Sequence, residues 1–361
     1  GGDQAVIRQN DIYKFFGGRS QEIEKRTKVK ARVVAQALEN LIKESSKVMI
    51  MGHVNPDIDA IGSAIGIYRL AKSLDKNAYI ILNNAPALQN FKESLLEEPE
   101  YEDALISKEV AEENIDENTV LVIVDTHKVN YVESEEVLKK ADKVVIIDHH
   151  RRSADYIENA TLIFQEVYAS SAAELVTELL QYAEVNVELK KIEAEALYAG
   201  IMMDTKSFTF KTGVRTFEAA AYLRKCGVDI IRVKKWFQSD LESFNKIADI
   251  VKNAEIVNES IAIALCEDTN SKDVSLLCAK AADELLTISD VTASFVLGNT
   301  GEKICISGRS IGDINVQVIL EKLGGGGHIT LAGAQVEGMT MEEAKQELII
   351  RINEYFTEIE N

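Results

Sequence analysis

Apolar and polar positions alternate with two different rhythms along the chain. In the first two thirds, short apolar runs at 48–51, 78–82, 120–124, 143–147 and 162–164 are separated by segments of helical period. Runs with no polar face, such as Val120-Leu-Val-Ile-Val124, suit strands covered on both sides. Helices are expected over about 60–74, from the Ser170-Ser171 caps to about 182, over 192–203 and over 216–226, where Gly227 stops the last. The polar stretch 93–117 reads as short helices. This alternation predicts an α/β fold with a doubly wound, mainly parallel sheet. Ahead of it, 21–46 reads as one long helix, basic at its start and apolar-striped later. A further helix over 236–253 reads as a connector. Beyond it the rhythm changes: strands are expected at 261–265, 291–297 and 303–307, with Asn299-Thr-Gly301 turning a hairpin between the last two. A helix over 315–323, a run of four glycines and an amphipathic helix from 341 to about 359 complete a smaller α/β unit, so the whole is expected to be bilobal.

Composition narrows the picture. The 361 residues suit two domains and a connector, and a 46% hydrophobic content supplies their cores. No run approaches the roughly 20 apolar residues of a membrane helix. The opening Gly1-Gly-Asp-Gln4 is no signal peptide and suggests a fragment. A formal charge of −19 argues against duplex nucleic acid as the main partner, because binding phosphate backbones needs clustered Lys and Arg. A small nucleotide needs only a local positive site, which metal ions can supply. Cys226, Cys266, Cys278 and Cys305 form no C-x-x-C pair and read as small buried residues. The five histidines, His53, His127, His149, His150 and His328, all fall beside Asp or Gly clusters.

Candidate chemistry gathers where apolar segments end. His53-Val-Asn-Pro-Asp57-Ile-Asp59 follows the first run, and Pro56 forces a turn there. Alone, this stretch could be a helix cap with a loop histidine. Asp125 ends a second run, Asp148-His149-His150 a third, and Asp204 a fourth apolar segment. A parallel sheet brings its strand ends to one edge. Unpaired carboxylates gathered there would repel one another. Bound divalent metal resolves the conflict, and His with carboxylate and no Cys suits Mn²⁺, less clearly Mg²⁺ or Zn²⁺. The number of ligands suits two ions, about 3.5–4 Å apart in known pairs. In the second unit, the glycine run Gly324-Gly-Gly-Gly-His328 leaves backbone N–H groups able to approach a phosphate. Arg309 has the fork geometry to pair phosphate oxygens, and Asn315 can bond a phosphate or a base.

Taken together, Asp148-His149-His150, His53-x3-Asp57-x-Asp59 and Asp125 resemble the DHH phosphoesterases over about 47–361, and the glycine run with His328 resembles the DHHA1 domain of one branch. Phe15-Phe-Gly-Gly-Arg-Ser-Gln-Glu-Ile-Glu-Lys-Arg is similar to the segment joining a degenerate GGDEF domain to DHH in the GdpP-type cyclic-di-AMP phosphodiesterases. That resemblance implies a remnant of the upstream domain and linker over 1–30, a DHH catalytic domain over 31–235, a connector over 236–254 and a DHHA1 substrate-binding domain over 255–361. It implies His53 and Asp57 on one ion, Asp59, His149 and Asp204 on the other, and Asp125 bridging. Asp148 would fix a histidine; His150 would orient substrate, protonate a leaving oxygen or simply pack; His127 would be structural or at the rim. Arg309, Asn315, Gly325, Gly326, Gly327 and His328 would hold substrate.

The implied activity is hydrolysis of cyclic di-AMP to linear pApA by water activated at two metals. The rival is a nanoRNase or pAp phosphatase cleaving short oligonucleotides such as pApA to AMP. The resemblance also implies a homodimer, and a cytoplasmic catalytic part of a membrane-anchored whole. The residues themselves specify neither.

Overall fold

The structure, a computed structural model, describes the chain except residues 1–3, 10–11, 18–27, 84, 86–87, 154, 239, 268–273, 302, 313 and 361, together with the side chains of 4–9, 12–17, 28, 328, 359 and 360. The segment expected to be an upstream remnant therefore lies largely outside the described residues. Its described part is a hairpin of β1 (Gln4–Gln9) and β2 (Ile12–Gly17). The chain divides into two compact units, Gly1–Phe237 and Gln238–Asn361.

After helix α1 (Lys28–Glu44), the first unit alternates β3 (Lys47–Met51), α2 (Ile58–Ser73), β4 (Asn77–Ile81), α3 (Gln89–Leu95), α4 (Glu100–Ala104), β5 (Leu105–Ile106), α5 (Lys108–Asn114), β6 (Thr119–Val124), α6 (Glu135–Lys140), β7 (Lys143–Asp148) and β8 (Leu162–Gln165). Helices α7 (Ala172–Tyr182), α8 (Lys191–Asp204), α9 (Val214–Lys225) and α10 (Ile230–Trp236) follow. The strands form one parallel sheet in the order β5-β4-β3-β6-β7-β8. The order reverses between β3 and β6, and such a reversal opens a crevice at the strands' carboxyl ends.

The apolar runs become strands because they feed two cores. Alternate residues Val48, Ile50, Val120, Val122, Val124, Val145 and Ile147 join the core beneath α1, α2, α7 and α8. Their neighbours Met49, Met51, Leu121, Ile123, Val144 and Ile146 join the core of the opposite face, with Ala111 of α5 and Val137 of α6. Neither face is left for polar residues. On the first face α2 lies tightly against α8: a Cβ added at Gly62 would come 2.5 Å from the Ala196 carbonyl oxygen.

The second unit contains α11 (Leu241–Lys252), β9 (Glu255–Val257), β10 (Ile261–Cys266), α12 (Val274–Leu285), β11 (Ala293–Asn299), β12 (Ile304–Ser310), α13 (Val316–Glu321), β13 (Gly326–His328), β14 (Leu331–Val336) and α14 (Met341–Glu360). Its sheet runs β13-β14-β12-β11-β10-β9, parallel between β10 and β11 and antiparallel elsewhere. The helix expected from 236 starts at Leu241 instead. Asp240 supplies the reason, because its side chain caps the first turn by accepting from Ser243 N–H at 2.8 Å. Cys266, Cys278 and Cys305 are buried, Cys226 is half-buried, and none of the four is in a disulfide.

Candidate metal centre

His53 leaves β3 on a short ladder: Val54 N–H donates to Tyr131 O at 2.8 Å, and Glu133 N–H to Gly52 O at 3.1 Å. The ring Nδ1–H donates to Val54 O at 3.0 Å, which turns Nε2 toward Asp125 Oδ2, 3.5 Å away. Tyr131 stacks on this imidazole, with centroids 5.1 Å apart and planes 6° from parallel. Beyond Pro56, Asp57 caps α2 with Oδ1, accepting from the N–H groups of Asp59 at 2.9 Å and Ala60 at 3.1 Å. Asp59 is fully buried in the first turn of α2. Its oxygens accept from Ala172 N–H at 2.7 Å and Ala173 N–H at 2.8 Å, the positive end of α7.

Asp125 follows β6 in the left-handed region at φ 59°, an uncommon conformation for a residue other than glycine. There its Oδ1 lies 3.2 Å from His149 Nε2. Asp204 closes α8 and sets Oδ2 3.1 Å from the same nitrogen. A carboxylate at a helix C-terminus opposes the helix dipole and calls for a cation. The side chains fall into overlapping sets, His53/Asp57/Asp125, Asp59/His149/Asp204 and Asp125/His149/His150, each with ligand atoms within 4.8 Å of one another. Among the described residues, buried Asp125 Oδ1 and both ring nitrogens of His149 lack hydrogen-bond partners. Buried polar atoms are rarely left so, and these donor types fit a divalent ion.

The electrostatics agree. Burial, then the charges of Asp125 and Asp204, push Asp57 up to about 6 and Asp59 well above the carboxylate range. Burial pushes Asp125 up as well, yet the positive charge of His149 and His53 beside it outweighs burial and holds it down at about 2. Burial disfavours the imidazolium of His53, and Asp125 outweighs it, raising His53 to about 9. His149 is raised likewise by Asp125 and Asp204 against its burial. The cluster retains protons because it needs positive charge.

Asp148 ends β7 and is fully buried. Its Oδ1 accepts from His150 N–H at 3.2 Å and His150 Nδ1–H at 2.8 Å, while Oδ2 pairs with His127 Nδ1. Burial opposes the charge on Asp148, but these two histidines hold its carboxyl far below the usual range. His150 stays half-exposed beside His149, ring centroids 4.3 Å apart. His127 is no rim residue; it is buried. Neither its bond to Asp148 nor the stacking of Tyr131 has a local sequence signal.

The candidate residues of the second unit stand differently. Arg309 is buried, with Nε donating to Asp283 at 3.1 Å and Nη1 to Gly308 O at 2.9 Å. Asn315 caps α13, its Oδ1 accepting from Gln317 N–H at 3.1 Å and Val318 N–H at 3.3 Å. The N–H groups of Gly324 and Gly325 donate to Glu321 O and Leu320 O at the end of α13, so these two amides are not free donors. A Cβ at Gly325 would lie 2.3 Å from Gly333 O, and one at Gly327 2.4 Å from Leu331 O, so strand packing alone demands glycine at both. Gly326 has no such constraint. The side chain of His328 lies outside the described residues.

The DHH family, N-terminal domain, matches residues 47–201, and the DHHA1 domain matches residues 258–358. The chain is 46% identical to the cyclic-di-AMP phosphodiesterase GdpP of Geobacillus thermodenitrificans, and 44% identical to the cyclic-di-AMP phosphodiesterase PdeA of Listeria monocytogenes. Each alignment covers 99% of this chain and 55% of the relative, so the chain spans about half the length of those proteins. A crystal structure of an exopolyphosphatase-related protein from Bacteroides fragilis superposes with a TM-score of 0.79 at 23% identity, over 91% of this chain and 98% of that one, a likeness of fold. Among the described residues, no helix is long and apolar enough to cross a membrane.

Proposed function

For a chain that belongs to the DHH family and carries a DHHA1 domain, we propose the role of a metal-dependent phosphodiesterase that opens cyclic di-AMP to pApA. The domains in this reading are DHH over 31–235 and DHHA1 over 255–361, joined through 236–254. The observation that carries it is one carboxylate shared by two ligand sets: Asp125 groups with His53 and Asp57, and stands 3.2 Å from the His149 that groups with Asp59 and Asp204. His53 and Asp57 would hold one ion, Asp59, His149 and Asp204 a second, with Asp125 between them. Mn²⁺ suits this mixture of imidazole and carboxylate. Two such ions, when bound, activate water as a nucleophile and offset charge on the phosphate oxygens.

The remaining work falls to the chain. Asp57 and Asp59 are fixed by backbone N–H groups, so they meet a cation without reorganising. Asp148 holds His150 by Nδ1, which leaves Nε2 to meet an oxygen of the phosphodiester. In the second unit, Gly326 is a better candidate for substrate contact than Arg309, Asn315, Gly325 or Gly327, whose polar groups or packing are already committed, and His328 is kept from the resemblance.

Titrating metal-free protein with Mn²⁺ tests this directly. The expected result is two ions per chain and cyclic di-AMP hydrolysis that follows their binding. Asp125→Ala, checked for folding by circular dichroism, should lose both the second ion and turnover. Full turnover in Asp125→Ala would contradict the bridging role.

A further inference from the structure

His127 is a buried histidine that belongs to none of the ligand sets described above. Its hydrogen bonds fix its tautomer. Ser153 N–H donates to Nε2 at 2.9 Å, and a backbone amide can only donate, so Nε2 carries the lone pair. The ring proton therefore sits on Nδ1, which faces Asp148 Oδ2. The other oxygen, Oδ1, takes both the backbone N–H and the Nδ1–H of His150. Gln165, the last residue of β8, donates its side-chain amide to His150 O at 2.8 Å. A carboxylate gripped on both oxygens cannot turn without breaking one grip. Freed from His127, Asp148 could rotate, and His150 would lose its fixed acceptor. Oδ2 would also become a buried charged oxygen without a partner, a state costly enough to drive rearrangement.

We infer that His127 is a positioning residue that, through Asp148, holds the ring of His150 with Nε2 presented to substrate. This rests on the proposed phosphodiesterase reading for what His150 does, and on geometry alone for how it is held.

Two variants separate the possibilities. In His127→Leu the bulk remains and the donor is gone. In His127→Asn the side-chain amide N–H can replace Nδ1–H. His127→Leu should lower kcat about 10–100-fold, the scale found for partners that orient site residues, with KM and the Mn²⁺ count unchanged. His127→Asn should recover most of that loss. In a His150→Ala background, His127→Leu should add nothing, because residues acting as one unit are not additive. Losses that multiply in that background, or His127→Asn as impaired as His127→Leu, would overturn the inference. A second readout does not depend on turnover. With Mg²⁺ in place of Mn²⁺, the Nδ1–H of His150 should be protected from solvent exchange by NMR in the wild type and in His127→Asn, and unprotected in His127→Leu. Unchanged protection in His127→Leu would overturn the inference whatever the substrate is. Absence of hydrolysis in the wild type, with protection behaving as expected, would instead count against the phosphodiesterase reading.

Discussion

Asp57 performs two tasks with one carboxylate. It caps a helix and lies in a group of side chains that could hold a metal ion. The cap and ligand alternatives raised by the sequence are therefore not exclusive. The neighbouring protonation states give a pH dependence. Asp57 rises from 3.8 to about 6 on folding, and His53 from 6.5 to about 9. In both cases the folded chain binds the proton more tightly than the unfolded chain. The metal-free protein should thus lose stability at these sites as pH rises, through about 4–6 for Asp57 and about 6.5–9 for His53. Mn²⁺ displaces those protons, so its stabilising effect should grow with pH. Thermal melts with and without Mn²⁺ at pH 5, 6.5 and 8 should show a widening gain in midpoint. A gain independent of pH would contradict the assignment of these residues as ligands.

At the scale of elements, the centre depends on how closely α2, α7 and α8 approach. A Cβ at Gly200 would lie 2.7 Å from Asp59 Oδ1 and 2.9 Å from Ala173 Cβ. Gly200→Ala and Gly62→Ala should each destabilise the fold by about 1–3 kcal/mol, the usual cost of overpacking, measured by urea unfolding. Gly200→Ala should also weaken Mn²⁺ binding, because it displaces Asp59; unaltered Mn²⁺ affinity in a folded Gly200→Ala protein would show that Asp59 is not a ligand. The elements themselves were legible where burial on both faces purged polar residues, as in β3, β6 and β7. The two-residue β5 and three-residue β13 are too short to carry a pattern. The start of α11 is set by one capping residue, Asp240, while the apolar Trp236 and Phe237 extend the pattern upstream of it. The gathering of His53, Asp57, Asp59, Asp125, His149 and Asp204 followed from strand ends sharing one sheet edge. The partners of Asp148 and Arg309 did not, since His127 and Asp283 lie 21 and 26 residues away and no local rule joins them. In the glycine run, the amides of Gly324 and Gly325 are taken up by carbonyls at the end of α13, a pairing that no local pattern announces.

For the whole molecule, a charge of −19 must be reconciled with the anionic substrate proposed above. In that proposal attraction is local, at the metal ligands, and not spread over a surface. A DNA duplex of about 20 base pairs should therefore not inhibit hydrolysis of cyclic di-AMP at 0.15 M salt, where screening already weakens non-specific binding. Inhibition in that assay would reveal a basic surface this account does not contain. Substrate choice is the central question, because the proposed ligand set would suit both ring opening and the cleavage of short linear dinucleotides. The decisive measurement is kcat/KM of this chain, loaded with Mn²⁺, on cyclic di-AMP and on pApA, with products separated by chromatography. Rapid conversion of cyclic di-AMP to pApA, with slower release of AMP, is the predicted result. Fast cleavage of pApA with no ring opening would contradict it.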